Sequence, residues 1–264
     1  MMSFVRRSLV LAAAITIAAG PAWAQGQKPF EPQSGQAGKD VVWVPTPQAL
    51  VDRMLDMAKL TPQDFHMDLG SGDGRTVIAA AKRGARSIGV EYNPDMVDLS
   101  NRNAKAAGVS DRATFVQADL FQTDFSKANV VTLFLLPSIN MRLRPTILNM
   151  RPGTRIVANT FTMEDWQADE TSVIGGDCVS WCTALLWIVP AKVDGTWKMP
   201  QGELTLKQQF QTFSGTLGGT PIADGKLRGE EITFTAGGQK YTGKVNGNTI
   251  TGTSGAGTFT ATKT

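Results

Sequence analysis

The sequence holds a single histidine, His66, among 264 residues, with two cysteines and two tyrosines. One imidazole cannot build a multi-histidine metal site, and it leaves serine–histidine–aspartate chemistry one possible base. Two cysteines, Cys178 and Cys182, make neither a disulfide scaffold nor a four-thiolate zinc centre. No metal site is expected. An excess of one charge is also missing. The chain has 26 Lys and Arg against 23 Asp and Glu, and setting aside Arg6 and Arg7 with the first 24 residues leaves a balance of about +1. That disfavours a strongly basic nucleic-acid binder. Long apolar runs are absent except over residues 9–20, about a dozen residues where a membrane span needs roughly 20. Apolar residues make up 42% of the chain and there are 27 glycines, enough for one large domain with a core or for a domain plus a small appendage.

Arg6 and Arg7, the apolar run and then Ala22-Trp23-Ala24 before Gln25 read as a cleaved signal peptide over residues 1–24. This implies an exported protein, periplasmic or secreted. The alternative is an uncleaved N-terminal anchor whose body lies outside the cytoplasm, and membrane contact is expected through this segment alone. Arg6-Arg7-Ser8-Leu9-Val10 also meets a minimal twin-arginine pattern. Residues 25–40, rich in Gln, Gly and Pro, are expected to be a disordered lead-in.

From residue 41 to about 194, short apolar runs alternate with helical stretches. Strands are expected over 65–69, 87–91, 114–118, 130–136 and 155–160, the fourth apolar on both faces as a central parallel strand should be. Helices are expected over 76–83, from Asn93-Pro94-Asp95 to Ala107, and over 139–149. Asn93 supplies the cap, Pro94 the first-turn proline and Asp95 the N-terminal acid of the second. This alternation argues for an α/β, doubly wound sheet. His66 lies inside the first strand and reads as a satisfied core residue. Cys178 and Cys182 lie in a strand-like stretch, where their spacing is about 13 Å, beyond disulfide reach. Unless a turn intervenes, they are buried thiols.

Residues 195–264 change character, with 14 Gly and 15 Thr. Residues 204–213, 231–235 and 241–245 favour strands, and Asp224-Gly225 and Asn246-Gly247 are hairpin-turn dipeptides. A small C-terminal antiparallel β appendage, barrel or sandwich, is expected.

The chemistry is carried by Asp68-Leu69-Gly70-Ser71-Gly72-Asp73-Gly74, which follows the first strand and opens the first helix. Glycine permits positive φ and close approach of a ligand to backbone N–H groups at a helix start. A dinucleotide fingerprint would need glycine at position 75, and this chain has Arg75. Glu91 ends the second strand and Asp119 follows the third, so three acids sit at the carboxyl ends of three consecutive strands, where open α/β sheets bind ligands.

G-x-G-x-G with an acid two residues before it resembles the first motif of class I S-adenosylmethionine (SAM) methyltransferases. Val44-Pro45-Thr46-Pro47, Leu135-Leu136-Pro137-Ser138, Arg151-Pro152-Gly153-Thr154-Arg155, Met163-Glu164-Asp165-Trp166 and Leu186-Trp187-Ile188-Val189-Pro190 resemble a narrower group. It contains bacterial proteins and the mitochondrial protein-lysine methyltransferases acting on the ATP synthase c-ring protein and the adenine nucleotide translocase. The resemblance covers residues 41–198 and implies a Rossmann-like sheet, SAM as cofactor and a protein lysine as acceptor. It implies cofactor contacts from Asp68, Gly70, Ser71, Gly72, Asp73, Gly74, Glu91, Asp119 and Leu120, with Glu91 on the ribose hydroxyls and Asp119 near the adenine amino group. A lid of Trp43, Pro45 and Thr46 is implied over the cofactor. On the acceptor side the loop after strand four, Leu136-Pro137-Ser138 with Asn140, takes the place of the Asn/Asp-Pro-Pro-aromatic motif of amino-methylating relatives. Trp43 stands where Tyr or Phe is usual, and Ala158-Asn159 where relatives often have Ser-His.

Methyl transfer from a sulfonium is an in-line displacement needing position and exclusion of water, not a metal. An apolar channel favours the neutral, nucleophilic amine by desolvation. Two other functions fit the sequence: an exported, non-catalytic binding protein on this fold, and a methyltransferase for a small molecule or lipid.

Overall fold

The computed structural model describes Met2 and residues 30–176 and 178–264. Apart from Met2, the expected signal peptide lies outside the described residues. Residues 31–264 form one compact unit.

The first part of that unit is a seven-stranded sheet. In chain order it comprises α1 (Gln48–Met57), β1 (Phe65–Leu69), α2 (Arg75–Lys82), β2 (Arg86–Glu91), α3 (Pro94–Ala106), β3 (Ala113–Gln117) and β4 (Val130–Leu133). It continues with α4 (Pro137–Ile147), β5 (Arg155–Asn159), β6 (Glu170–Val173) and β7 (Thr183–Ile188). The strand order is β3-β2-β1-β4-β5-β7-β6. The first five strands are parallel, and β7 joins antiparallel to both β5 and β6. The chain therefore starts in the middle of the sheet and winds outward twice, leaving a crevice beyond β1 and β4 where the winding reverses.

Local chemistry explains these elements. In α3 the Asn93 side chain accepts the Asp95 N–H, Pro94 sits in the first turn and Lys105 in the last. All four residues of β4 are buried, as a central parallel strand requires. Strand four stops at Leu133, short of the expected Leu136, and α4 starts at Pro137 rather than at residue 139. Proline has a φ ready for a first helical turn and no N–H that would go unpaired there, so Pro137 opens the helix early.

His66 is fully buried between two hydroxyls, Nδ1 2.6 Å from Ser87 Oγ and Nε2 2.9 Å from Thr132 Oγ1, as a satisfied core residue should be. The cysteines are a correction. Cys178 and Cys182 form a disulfide with Cα atoms 5.9 Å apart. The segment joining β6 to β7 is not a strand but turns back on itself, with Gly176 and Trp181 at positive φ, which brings the two sulfurs together.

The second part is a closed antiparallel barrel of eight strands. These are β8 (Gly195–Met199), β9 (Gly202–Gln209), β10 (Thr212–Leu217), β11 (Thr220–Arg228), β12 (Glu231–Ala236), β13 (Gln239–Asn246), β14 (Thr249–Ser254) and β15 (Gly257–Lys263). Closure leaves no free sheet edge. Trp197, Phe213, Phe234, Tyr241 and Phe259 fill the interior, with the Phe234 and Tyr241 rings stacked at 4.7 Å. Ala191 and Val193 already belong to this core.

Three expected features of the barrel shift. Residues 204–213 are two strands, because Phe210 takes φ 53° and reverses the chain between the paired Gln209 and Thr212. Asp224-Gly225 is no hairpin turn but a bulge within β11, where the pairing slips between Ala223 and Lys226. The Asn246-Gly247 hairpin forms one residue later than the dipeptide suggests, since Asn246 still pairs with Thr249. The barrel docks through the β9–β10 turn. Phe210 stacks on the buried Trp166 at 5.8 Å, and Gln211 donates to the Gln167 carbonyl.

Candidate active site

A cavity of about 440 Å³ opens at the carboxyl ends of β1, β2 and β4. That size suits a drug-sized ligand. Its first wall is the loop from Gly70 to Gly74. Gly70 and Ser71 donate their N–H groups to the Val90 carbonyl at 2.8 and 3.0 Å, which pins the loop beside β2. At Gly72, φ is +54° and a Cβ would stand 2.6 Å from Trp43 Nε1, so only glycine lets the Trp43 indole close over the loop. Gly74 does not line the cavity; it packs against Phe115 and Ser100.

Two acids define the polar end. Glu91 accepts the Gly72 N–H with one oxygen and the Asn93 N–H with the other, both at 2.9 Å. A carboxylate has about four acceptor positions, so each oxygen keeps one for a ligand hydroxyl. Asp68 is 6% exposed and accepts from Thr132 Oγ1 at 2.6 Å. Burial pushes its carboxyl up to about 7, reinforced by the charges of Asp73 and Glu91 and opposed by the Thr132 and Thr76 hydroxyls. Burial likewise holds His66 down at about 3, hence neutral. With the Thr132 hydroxyl proton given to Asp68, Thr132 Oγ1 accepts from His66 Nε2–H, and Nδ1 accepts from Ser87. A chain of hydrogen bonds thus runs from the cavity acid into the sheet core. Ser71 Oγ is buried here with no hydrogen-bond partner among the described residues.

Residues on the far side of the sequence complete the wall. The expected disordered lead-in is structured from Gln33 onward, while residues 25–29 lie outside the described residues. Gly35 donates to the Trp43 carbonyl and Trp43 to the Gln36 carbonyl, and Lys39 bridges to Asp119 at 2.7 Å. Gln36, Gly38, Lys39 and Asp40 line the cavity. The hydrogen bond from Lys39 holds the Asp119 carboxyl below the usual range. Composition suggested disorder here because the segment is ordered by the cavity it covers, not by a periodic apolar pattern. Arg75, the residue that breaks the dinucleotide fingerprint, clamps Asp73 with Nε and Nη2 and donates Nη1 to the Thr46 carbonyl at 2.8 Å. It thereby ties the glycine loop to the 43–46 segment. Asn159 donates to Thr46 Oγ1 at 3.2 Å from the other side.

Trp43, Pro45, Thr46, Asp68, Gly70, Ser71, Gly72, Asp73, Glu91, Asp119 and Leu120 all line this one cavity. The acceptor-side residues divide. Leu136 lines the cavity, but Pro137, Ser138 and Asn140 do not. Pro137 opens α4, so Ser138 sits in its first turn, away from the cavity wall. Asn140 is fully buried and donates to the Phe161 and Thr162 carbonyls, each at 3.2 Å. It braces the loop after β5 rather than facing an acceptor. Phe134, Phe161 and Trp181 take their place on the wall, and neither strand periodicity nor the glycine motif marks them.

The glycine cradle, the unpartnered Ser71 hydroxyl and the open acceptor positions on Glu91 fit a nucleoside-bearing ligand such as SAM. Comparison with known proteins agrees. The family model described as the ANTKMT methyltransferase domain matches residues 68–170. A protein-lysine N-methyltransferase of Saccharolobus islandicus (strain REY15A) is 41% identical over 133 residues, 49% of this chain and 83% of the relative. An adenine nucleotide translocase lysine N-methyltransferase of Mus musculus is 34% identical over 119 residues, covering 44% of this chain and 52% of that protein. The chain thus spans about half the length of this mammalian relative. A crystal structure described as an RNA methyltransferase from Salinibacter ruber in complex with S-adenosyl-L-homocysteine (SAH) shares 47% identity, with a TM-score of 0.53 over 57% of this chain and 96% of that one. The protein is a SAM-dependent methyltransferase, and the chain belongs to the ANTKMT methyltransferase family.

Proposed function

We propose that the protein is an N-methyltransferase acting on a protein lysine. The observation that carries this reading is the mixed lining of the cavity. Asp68, Glu91 and the glycine-loop N–H groups share its wall with the apolar side chains of Leu135, Leu136 and Ile139, and Leu135 reaches to within 3.1 Å of where a Cβ at Gly70 would stand. SAM, when bound, supplies the methyl group. Glu91 would hold the ribose hydroxyls, Asp119 would meet the adenine amino group and Asp68 the cationic part of the cofactor. Trp43, Pro45 and Thr46 would cover it and exclude water. The buried Leu135 and Ile139, each 4% exposed, disfavour a charged amine at the reaction point and so favour the nucleophilic form. Transfer would then be an in-line displacement governed by positioning. The relatives named as lysine methyltransferases support this acceptor, and the near-neutral charge argues against a polyanion.

Export of the chain is part of the proposal. The N-terminal pattern motivates it, and the Cys178–Cys182 disulfide supports it because disulfides persist in oxidising compartments.

The test is transfer of radiolabelled methyl from SAM by the full chain, with protein, RNA and lipid fractions as separate acceptors. Label recovered as methylated lysine after acid hydrolysis is the expected result. Label confined to nucleotides or to lipid extracts overturns the lysine reading.

A further inference from the structure

Three aromatic rings stand together on the cavity wall without belonging to the buried core. Phe134 and Phe161 lie 5.9 Å apart between centroids, Phe161 and Trp181 5.2 Å, and Phe134 and Trp181 6.1 Å. They come from three separate places in the chain: the end of β4, the loop after β5, and the turn before β7. Trp181 is 41% exposed, and an exposed indole grouped with two half-buried phenyl rings is not what core packing alone would leave.

The backbone that carries the rings is held in uncommon conformations. Thr160, just before Phe161, has φ 58°, rare for a β-branched residue, and Trp181 has φ 59°. Such positions persist only where the surroundings enforce them, and they gather at binding sites. Asn140 fixes the first by bonding the Phe161 and Thr162 carbonyls. The disulfide fixes the second, because Trp181 sits inside the short ring closed by Cys178 and Cys182.

We infer that Phe134, Phe161 and Trp181 form a binding subsite for the ammonium or methylammonium head of the acceptor, and that the Cys178–Cys182 disulfide holds Trp181 in that subsite. A cation over an aromatic face is attracted by the ring quadrupole, most strongly at tryptophan, and methylated ammonium groups shed water readily enough to exploit it. The subsite lies at the exposed rim of the cavity. It takes the charged head at the solvent side, where the ammonium releases its proton to water before the neutral amine enters the apolar interior, and it retains a partly methylated head between successive transfers. The inference deepens the lysine reading and rests on it for the identity of the acceptor.

The experiment is calorimetric titration of the full chain, saturated with SAH, with two probes. One is N-acetyl-Nε-trimethyllysine methylamide; the other is its neutral isostere with carbon in place of the ammonium nitrogen. The wild type is expected to bind the cation about tenfold more tightly than the isostere, and Trp181→Leu to lose that preference. The Cys178→Ser/Cys182→Ser double variant is expected to weaken cation binding in the same direction. A retained far-UV circular dichroism spectrum and cooperative urea unfolding in each variant show that the fold survives. Equal affinity for both probes, or no probe binding by protein that binds SAH, overturns the subsite. Unchanged cation binding in the double cysteine variant overturns the clamp. These titrations involve no transfer, so they separate from the lysine reading: label on lysine with equal probe affinities sinks the subsite alone, and label on RNA alone sinks the acceptor.

Discussion

Replacing Asp68 by asparagine should stabilise the folded protein in the absence of cofactor, and only above acidic pH. Asp68 is buried, and its carboxyl is raised from an ordinary 3.8 to about 7. Between those values the unfolded chain has released the proton while the folded chain keeps it. Folded stability therefore falls as pH rises, by about 1.4 kcal/mol per pH unit and roughly 4 kcal/mol in all. His66 acts in the opposite sense. It is lowered from 6.5 to about 3, so over that range the unfolded chain is protonated and the folded chain is not, and stability falls as pH falls. Between about pH 4 and 6.5 the two contributions offset each other, and the wild type shows little net slope from this pair. Asp68→Asn removes one of them while its amide oxygen can still accept the Thr132 hydroxyl. The variant's advantage should thus be near zero at pH 4 and grow to as much as about 4 kcal/mol at pH 7.5. Urea unfolding followed by tryptophan fluorescence at several pH values measures this difference. A variant that is less stable at pH 7.5, or a difference that does not change with pH, would refute the account of Asp68 as a buried charge held for a ligand. The same substitution should weaken SAM binding more than tenfold, about 1.4 kcal/mol.

Gly72→Ala adds a Cβ at a φ of +54° and 2.6 Å from Trp43 Nε1. It should cost about 1 kcal/mol of stability and lower SAH affinity at least tenfold by displacing Trp43, seen as a change in tryptophan emission; SAH binding equal to wild type would show that Trp43 does not close the site. Trp197→Ala empties the barrel of a fully buried indole whose Nε1 donates to the Val193 carbonyl at 2.8 Å. A loss of about 3–5 kcal/mol in urea unfolding is expected, and a loss below about 1 kcal/mol would mean that the barrel core contributes little.

The alternating sheet and the acid–glycine loop were readable in the sequence because both rest on local rules. Strand period, Asn93-Pro94-Asp95 at a helix start and glycines needing positive φ leave direct marks on neighbouring residues. Where long-range contacts override the local rules, the structure departs from them. Asp224-Gly225 has hairpin chemistry, yet it became a bulge because β11 must pass close to the Phe213 carbonyl, 2.1 Å from where a Cβ at Gly225 would stand. Phe210 has strand chemistry, yet it forms a turn whose ring stacks on Trp166 in the other part of the molecule. Ser138 and Asn140 sit in the expected stretch, but a helix that starts at Pro137 carries one away from the cavity and buries the other.

That Asp68, Glu91 and Asp119 stand at or just past the carboxyl ends of strands follows from local pattern, because strand period and the turn residues after each strand are written in a few neighbouring positions. The folding of residues 33–43 back over those acids, the tie from Arg75 to Thr46, and the shared wall of Phe134, Phe161 and Trp181 arise instead from long-range packing. Those contacts link residues far apart in the chain and depend on burial, backbone turns and one disulfide. No local spacing encodes them.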